Sequence, residues 1–123
     1  MTLNDLQREL REFAEQRDWQ PFHTPKNLVM ALTGEVGELA DVFQWLTPDE
    51  SSAVMDRPEQ AERVREEVAD VFAYLLQLAD VLEIDLVAAL RTKVRRNERK
   101  YPVEQAKGRA DKYDRLSAED HKA

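Results

Sequence analysis

Apolar residues recur at intervals of three and four along most of the chain, and no segment alternates with the two-residue period of a strand. That rhythm commits the chain to helices. Leu3, Leu6, Leu10, Phe13 and Ala14 form the first stripe, which predicts a helix from about Leu3 to Arg17. The following segment, Trp19 to Pro25, carries two prolines and cannot continue a helix, yet holds a tryptophan, a phenylalanine and a histidine. It is an odd sequence to leave in water.

Thr24 followed by Pro25 makes a good cap and first position for a second helix through Leu28, Leu32, Val36, Leu39, Phe43 and Leu46. The run Thr47-Pro-Asp-Glu50 reads as a capping box for a short helical turn, with a connection from Met55 to Pro58. A third long helix starts near Pro58, with its stripe at Val64, Val68, Val71, Leu75, Leu78 and Leu82. Asp85 caps a fourth, which shows Leu86, Leu90 and Val94 on one side. Its C-terminal half carries Lys93, Arg95, Arg96, Arg99 and Lys100, where positive charge suits the helix dipole. The expectation is an all-α four-helix bundle over residues 1–102. Residues 103–123 are expected to form a polar tail, since Val103, Tyr113 and Leu116 offer it few apolar anchors.

Charge narrows the function. Eighteen basic and 25 acidic residues give a net charge of -7, which argues against a general nucleic-acid binder. An anionic substrate would need a bound cation or a local basic cluster. The absence of cysteine removes disulfides, thiolate nucleophiles and cysteine zinc sites. The first ten residues lack a secretory signal's apolar core and no stretch approaches a membrane span, so no membrane partner and a cytoplasmic location are expected.

Glu35 and Glu38 stand three residues apart at the margin of the second stripe, and Glu67 and Asp70 repeat the spacing on the third. If those helices pack through their stripes, four carboxylates converge on one point. Such a cluster repels itself unless it takes up protons or a hard cation such as Mg²⁺ or Mn²⁺. The ordinary reading of such pairs is a solvated acidic face. Three features count against it: both pairs border the apolar stripes, no basic residue lies four positions away to neutralise Glu35 or Glu38, and Gly34 and Gly37 flank Glu35 in the helix interior. A glycine there often marks a close approach. Asp41 and Glu66 lie nearby in sequence, with ordinary surface charge the expected role. A di-iron site needs Glu-x-x-His motifs, and neither His23 nor His121 has a glutamate three residues before it. On the fourth helix, Lys93, Arg96, Asn97, Lys100 and Tyr101 share one face able to meet phosphate oxygens.

Glu35-Val-Gly-Glu38 followed by Glu67-Val-Ala-Asp70 resembles the E-x-x-E, spacer, E-x-x-D signature of the MazG-like all-α nucleoside triphosphate pyrophosphohydrolases. Arg17-Asp-Trp19, Phe22-His23, Pro25, Phe43-Gln-Trp45, Lys93 with Asn97, and Tyr101-Pro102 extend the resemblance toward the dCTP pyrophosphatase branch. The resemblance implies Mg²⁺, with Mn²⁺ a substitute, at Glu35, Glu38, Glu67 and Asp70. It implies hydrolysis of dCTP or a modified pyrimidine deoxynucleotide to the monophosphate and pyrophosphate. It further implies that Trp19, His23, Trp45 and Tyr74 surround the base, that Lys93, Asn97 and Tyr101 meet the substrate, and that the chain assembles as a homotetramer or homodimer. Leu10 stands where some relatives offer a histidine, so base preference is expected to differ. The rivals are a broad or purine-directed pyrophosphohydrolase and a non-catalytic helical interaction module.

Overall fold

The computed structural model describes residues 1–108, which hold helices and turns and no strand. They fall into two units, Met1–Ile84 and a second that begins at Asp85. The first contains α1 (Leu3–Gln16), α2 (Pro25–Phe43), the short α3 (Pro48–Ser52) and α4 (Pro58–Val81). The second contains α5 (Leu86–Lys100) and the four-residue α6 (Val103–Ala106).

The caps follow the sequence closely. Thr24 Oγ1 accepts from the Asn27 amide at 3.2 Å with Pro25 at the first helical position. Thr47 and Glu50 form the reciprocal box at 3.2 and 2.9 Å, and Asp85 accepts from the Ala88 amide at 3.0 Å. Thr2 and Asp5 make a further capping box on α1. Departures are local. Arg17 is the C-cap of α1, the Trp19 segment winds into a single 3-10 turn at Gln20–Phe22, and another such turn occupies Val54–Asp56. α6 forms at the start of the stretch expected to be a tail, whereas Tyr113 and Leu116 lie outside the described residues.

α2 and α4 pack against each other along most of their length, and α1 packs on α4. Leu28 and Leu76 are the most deeply buried large side chains, with Ala14, Val54, Ala61 and Ala79 completing the fully buried apolar set. Gln7 Nε2 donates to the Leu76 carbonyl at 2.9 Å, and Arg11 forks onto Asp80 at 3.0 and 2.7 Å, so two polar ties fix α1 on α4. α1 and α4 end alike. Asp18 and Glu83 take positive φ (54° and 55°), and the next amides, of Trp19 and Ile84, reach back to Ala14 and Ala79 at 2.9 Å. These are Schellman turns closed without glycine, and the first aims the chain into the turn that carries Trp19 and His23.

Gly34 and Gly37 correct an expectation. Among the described residues a Cβ at either would meet nothing within 4 Å, so no close approach there explains them.

Candidate functional site

Packing α2 on α4 brings the acidic margins of the two stripes face to face. Carboxylate oxygens of Glu35, Glu38 and Glu67 lie within 4.8 Å of one another. Asp70 falls outside that set of contacts but is near enough for its charge to act on both Glu35 and Glu67. Glu35 and Glu67 are half-buried while Glu38 is exposed, so the cluster opens to solvent on one side. Burial, then hydrogen bonds from Glu38 and Glu67, then the charges of Glu38 and Asp70 push the Glu35 carboxyl up to about 7. Glu67 is raised as well, chiefly by burial, although its hydrogen bond with Glu35 works the other way.

One oxygen of each inner acid, Glu35 Oε2 and Glu67 Oε2, is buried without a hydrogen-bond partner among the described residues. Arg57 and Arg65, near the start of α4, give their charges to Glu50 (3.4 Å) and Glu62 (3.6 Å) instead. Buried acceptors left unpaired are costly, and a hard divalent cation relieves both the orphaned oxygens and the mutual repulsion. The donor set therefore fits a metal of the Mg²⁺ or Mn²⁺ class. Asp41, expected from sequence to be ordinary surface charge, accepts from Gln44 at 3.2 Å.

A second group of expected residues assembles between α1 and α4. Trp19 stands edge-on to Phe13 (centroids 5.7 Å apart) and to His23 (6.4 Å), while the Asn27 side chain donates to the Phe22 carbonyl at 3.0 Å and ties this turn to the start of α2. His23 is half-buried and lines a cleft of about 80 Å³ with Leu10, Ala14, Gln77 and Val81; Gln20 and the Arg11–Asp80 pair complete its wall. Tyr74 is half-buried one turn beyond Asp70 on α4. Trp45, just past the end of α2, is 85% exposed, so no core within the chain explains it. Lys93, Asn97 and Tyr101 belong to the second unit: the first two lie on α5 and Tyr101 caps it. There Lys93 lines a shallow depression with Ala88, Ala89, Thr92 and Arg96.

Sequence reasoning passed over Gln77 and the Arg11–Asp80 pair. The available signal was a lone carboxamide among Leu75, Leu76, Leu78 and Ala79.

The model of the MazG-like family matches residues 31–116, a span that contains all four carboxylates. The chain belongs to the MazG-like family. Among curated relatives it is 44% identical over 112 residues to dCTP pyrophosphatase 1 of Bos taurus, covering 91% of this chain and 66% of that one. It is 44% identical over 115 residues to dCTP pyrophosphatase 1 of Homo sapiens, covering 94% and 68%. The chain thus spans about two thirds of the length of the curated relatives it matches. Among solved structures it is similar to a pyrophosphatase from Archaeoglobus fulgidus, with a TM-score of 0.75, 46% identity, and 80% and 91% of the two chains covered. The MazG-like fold is accordingly all-helical in this chain, and no helix among the described residues is long and apolar enough to cross a membrane.

Proposed function

We propose that this chain is a Mg²⁺-dependent nucleoside triphosphate pyrophosphohydrolase that converts dCTP, or a modified pyrimidine deoxynucleotide, to the monophosphate and pyrophosphate. The observation that carries the proposal is the pair of buried, unpartnered oxygens on Glu35 and Glu67 inside a cluster of acids. The relatives named dCTP pyrophosphatase 1 support the reaction and the substrate, and the archaeal pyrophosphatase supports the reaction.

Glu35, Glu38, Glu67 and Asp70 would hold the cation, Mg²⁺ or Mn²⁺ in its place. When bound there, it would neutralise phosphate charge and polarise the phosphorus under attack. The chain's own residues supply positioning. The inner acids would anchor the site from the helix seam, and Glu38, which is exposed, would face the incoming triphosphate and water. Water adds to phosphorus, a bridging P–O bond breaks, pyrophosphate leaves, and a carboxylate of the cluster takes the proton from the attacking water. Lys93, Asn97 and Tyr101, spaced by four along and just beyond α5, suit phosphate oxygens. Trp19, His23, Trp45 and Tyr74 would exclude water from the base and sugar, the base entering the α1–α4 cleft beside His23.

In the same reading, residues 1–102 are the catalytic domain of four-helix type, 103–123 are an accessory tail, and the protein works in the cytoplasm as a homotetramer or homodimer. Phe13, Met30, Phe72 and Trp45 support the assembly, being 45%, 57%, 41% and 85% exposed in the single chain. No nucleic acid or membrane takes part.

The test is pyrophosphate release by purified protein from a panel of nucleoside triphosphates, with Mg²⁺ and with chelator. Mg²⁺-dependent release that favours dCTP or its methylated forms is expected. Preference for a purine would replace the substrate, and no release from any triphosphate would leave a helical interaction module.

A further inference from the structure

α4 carries Asp70, Tyr74, Gln77 and Val81 at spacings of four, three and four, so all four project from one side of the helix. At the helical rise, Gln77 lies about 10 Å beyond Asp70 along the axis. That is the direction in which a nucleotide with its phosphates at the acidic cluster would extend its sugar and base. Gln77 lines the α1–α4 cleft opposite Leu10 and His23, and its Oε1 is buried with no hydrogen-bond partner. The neighbouring positions 76 and 78 are leucines. A carboxamide with its acceptor unpaired is costly in such a place unless a ligand completes it.

We infer that Gln77 binds the base of a pyrimidine nucleotide held in the α1–α4 cleft, its carboxamide accepting a hydrogen bond from the exocyclic amino group. The inference rests on the proposed pyrophosphohydrolase reading and adds to it a residue of this chain. The terminal torsion of glutamine is soft, so the carboxamide turns its oxygen into the cleft without leaving its rotamer well, and its NH₂ then meets the adjacent ring nitrogen. Leu10 and Val81 supply apolar walls that keep water from competing for those bonds. Arg11 and Asp80 are already committed to each other at 3.0 and 2.7 Å, which leaves Gln20, His23 and Gln77 as the other polar groups of the cleft, and of these Gln77 carries the buried, unpaired acceptor.

The experiment compares Gln77→Leu, which keeps the shape and removes both hydrogen bonds, with Gln77→Glu, which only accepts. In Gln77→Leu, KM for dCTP should rise about 10-fold at nearly unchanged kcat. The Mg²⁺-induced rise in Tm should match the wild type, which separates base reading from damage to the acidic cluster. Gln77→Glu meets one donor and one repelling acceptor on the edge of either cytosine or uracil, so KM should rise for dCTP and dUTP alike. An unchanged KM for dCTP in Gln77→Leu overturns the inference. Calorimetric binding of dCMP separates it from the reaction: weaker binding by Gln77→Leu supports the role of Gln77 even if the wild type hydrolyses nothing. Equal binding, or none by the wild type, overturns it.

Discussion

The two polar sites of the first unit treat charge in opposite ways. At the α2–α4 seam, acids face acids, two buried oxygens lack partners, and nearby arginines pair with Glu50 and Glu62 instead. At the α1–α4 cleft, Arg11 and Asp80 satisfy one another through a two-point fork, and the wall is otherwise largely apolar. Folding alone would favour the second arrangement, because self-repelling buried acids oppose stability. A seam that keeps its charges unpaired is shaped for something it has yet to bind; a cleft that pairs them is shaped by the fold and selects by fit.

The comparison breaks most directly at the seam. Glu35→Gln, Glu38→Gln and Asp70→Asn should each cut pyrophosphate release at least about 100-fold, the upper end of what losing a group that merely orients a metal ligand costs. Circular dichroism should show retained helicity, since the amides keep the shape. Turnover within a few-fold of wild type in all three would remove the acids from the site.

The raised Glu35 carboxyl gives the next effect a sign. Between its ordinary value of 4.5 and about 7, the unfolded chain has released this proton while the folded chain retains it. The unfolded state then binds fewer protons, so this group's contribution makes stability fall as pH rises through that window and level off above about 7. A divalent cation competes for the same oxygens. The Mg²⁺-induced gain in Tm should therefore be larger at pH 8 than at pH 5, and Glu35→Gln should flatten the difference. Equal gains at both pH values would contradict the seam as the metal site.

Among the aromatic residues proposed to meet the base, Trp19→Ala and Trp45→Ala should each raise KM roughly 10-fold, in keeping with the contribution of one base–aromatic stack. The pH dependence of Mg²⁺ binding should stay as in the wild type. A loss confined to kcat would move the tryptophan from substrate binding to some other duty.

What the sequence made legible follows from how local each cause is. The caps at Thr24, Thr47 and Asp85 depend on residues three positions apart, and all three formed as expected. The acidic cluster needed one further step, the packing of two stripes, and the stripes themselves dictate that step. The cleft was less legible. Arg11 and Asp80 are 69 residues apart, and nothing in the spacing of either announces the other. Gln77 lies off the apolar stripe of its helix, and its place in a cleft appears only once α1 is laid against α4. Gly34 and Gly37 suggested a close approach that the described residues do not make, because a small residue marks available space without saying what fills it.

The smallest effect expected is at the Arg11–Asp80 fork, and it tests whether that pair belongs to the fold alone. Its side chains are 49% and 24% exposed, so solvent screens much of their attraction. A double-mutant cycle with Arg11→Ala and Asp80→Ala, read by denaturant unfolding, should give a coupling of about 0.5–1 kcal/mol. If the pair only ties α1 to α4, KM for dCTP should change less than about 2-fold in either single variant, the scale of a few tenths of a kcal/mol. If instead KM rises in Asp80→Ala with little change in stability, the aspartate reads substrate and the contrast between a paired cleft and an unpaired seam collapses. Equal and opposite shifts in KM for the two variants would place the charge of the pair, and not its geometry, at the mouth of the base site.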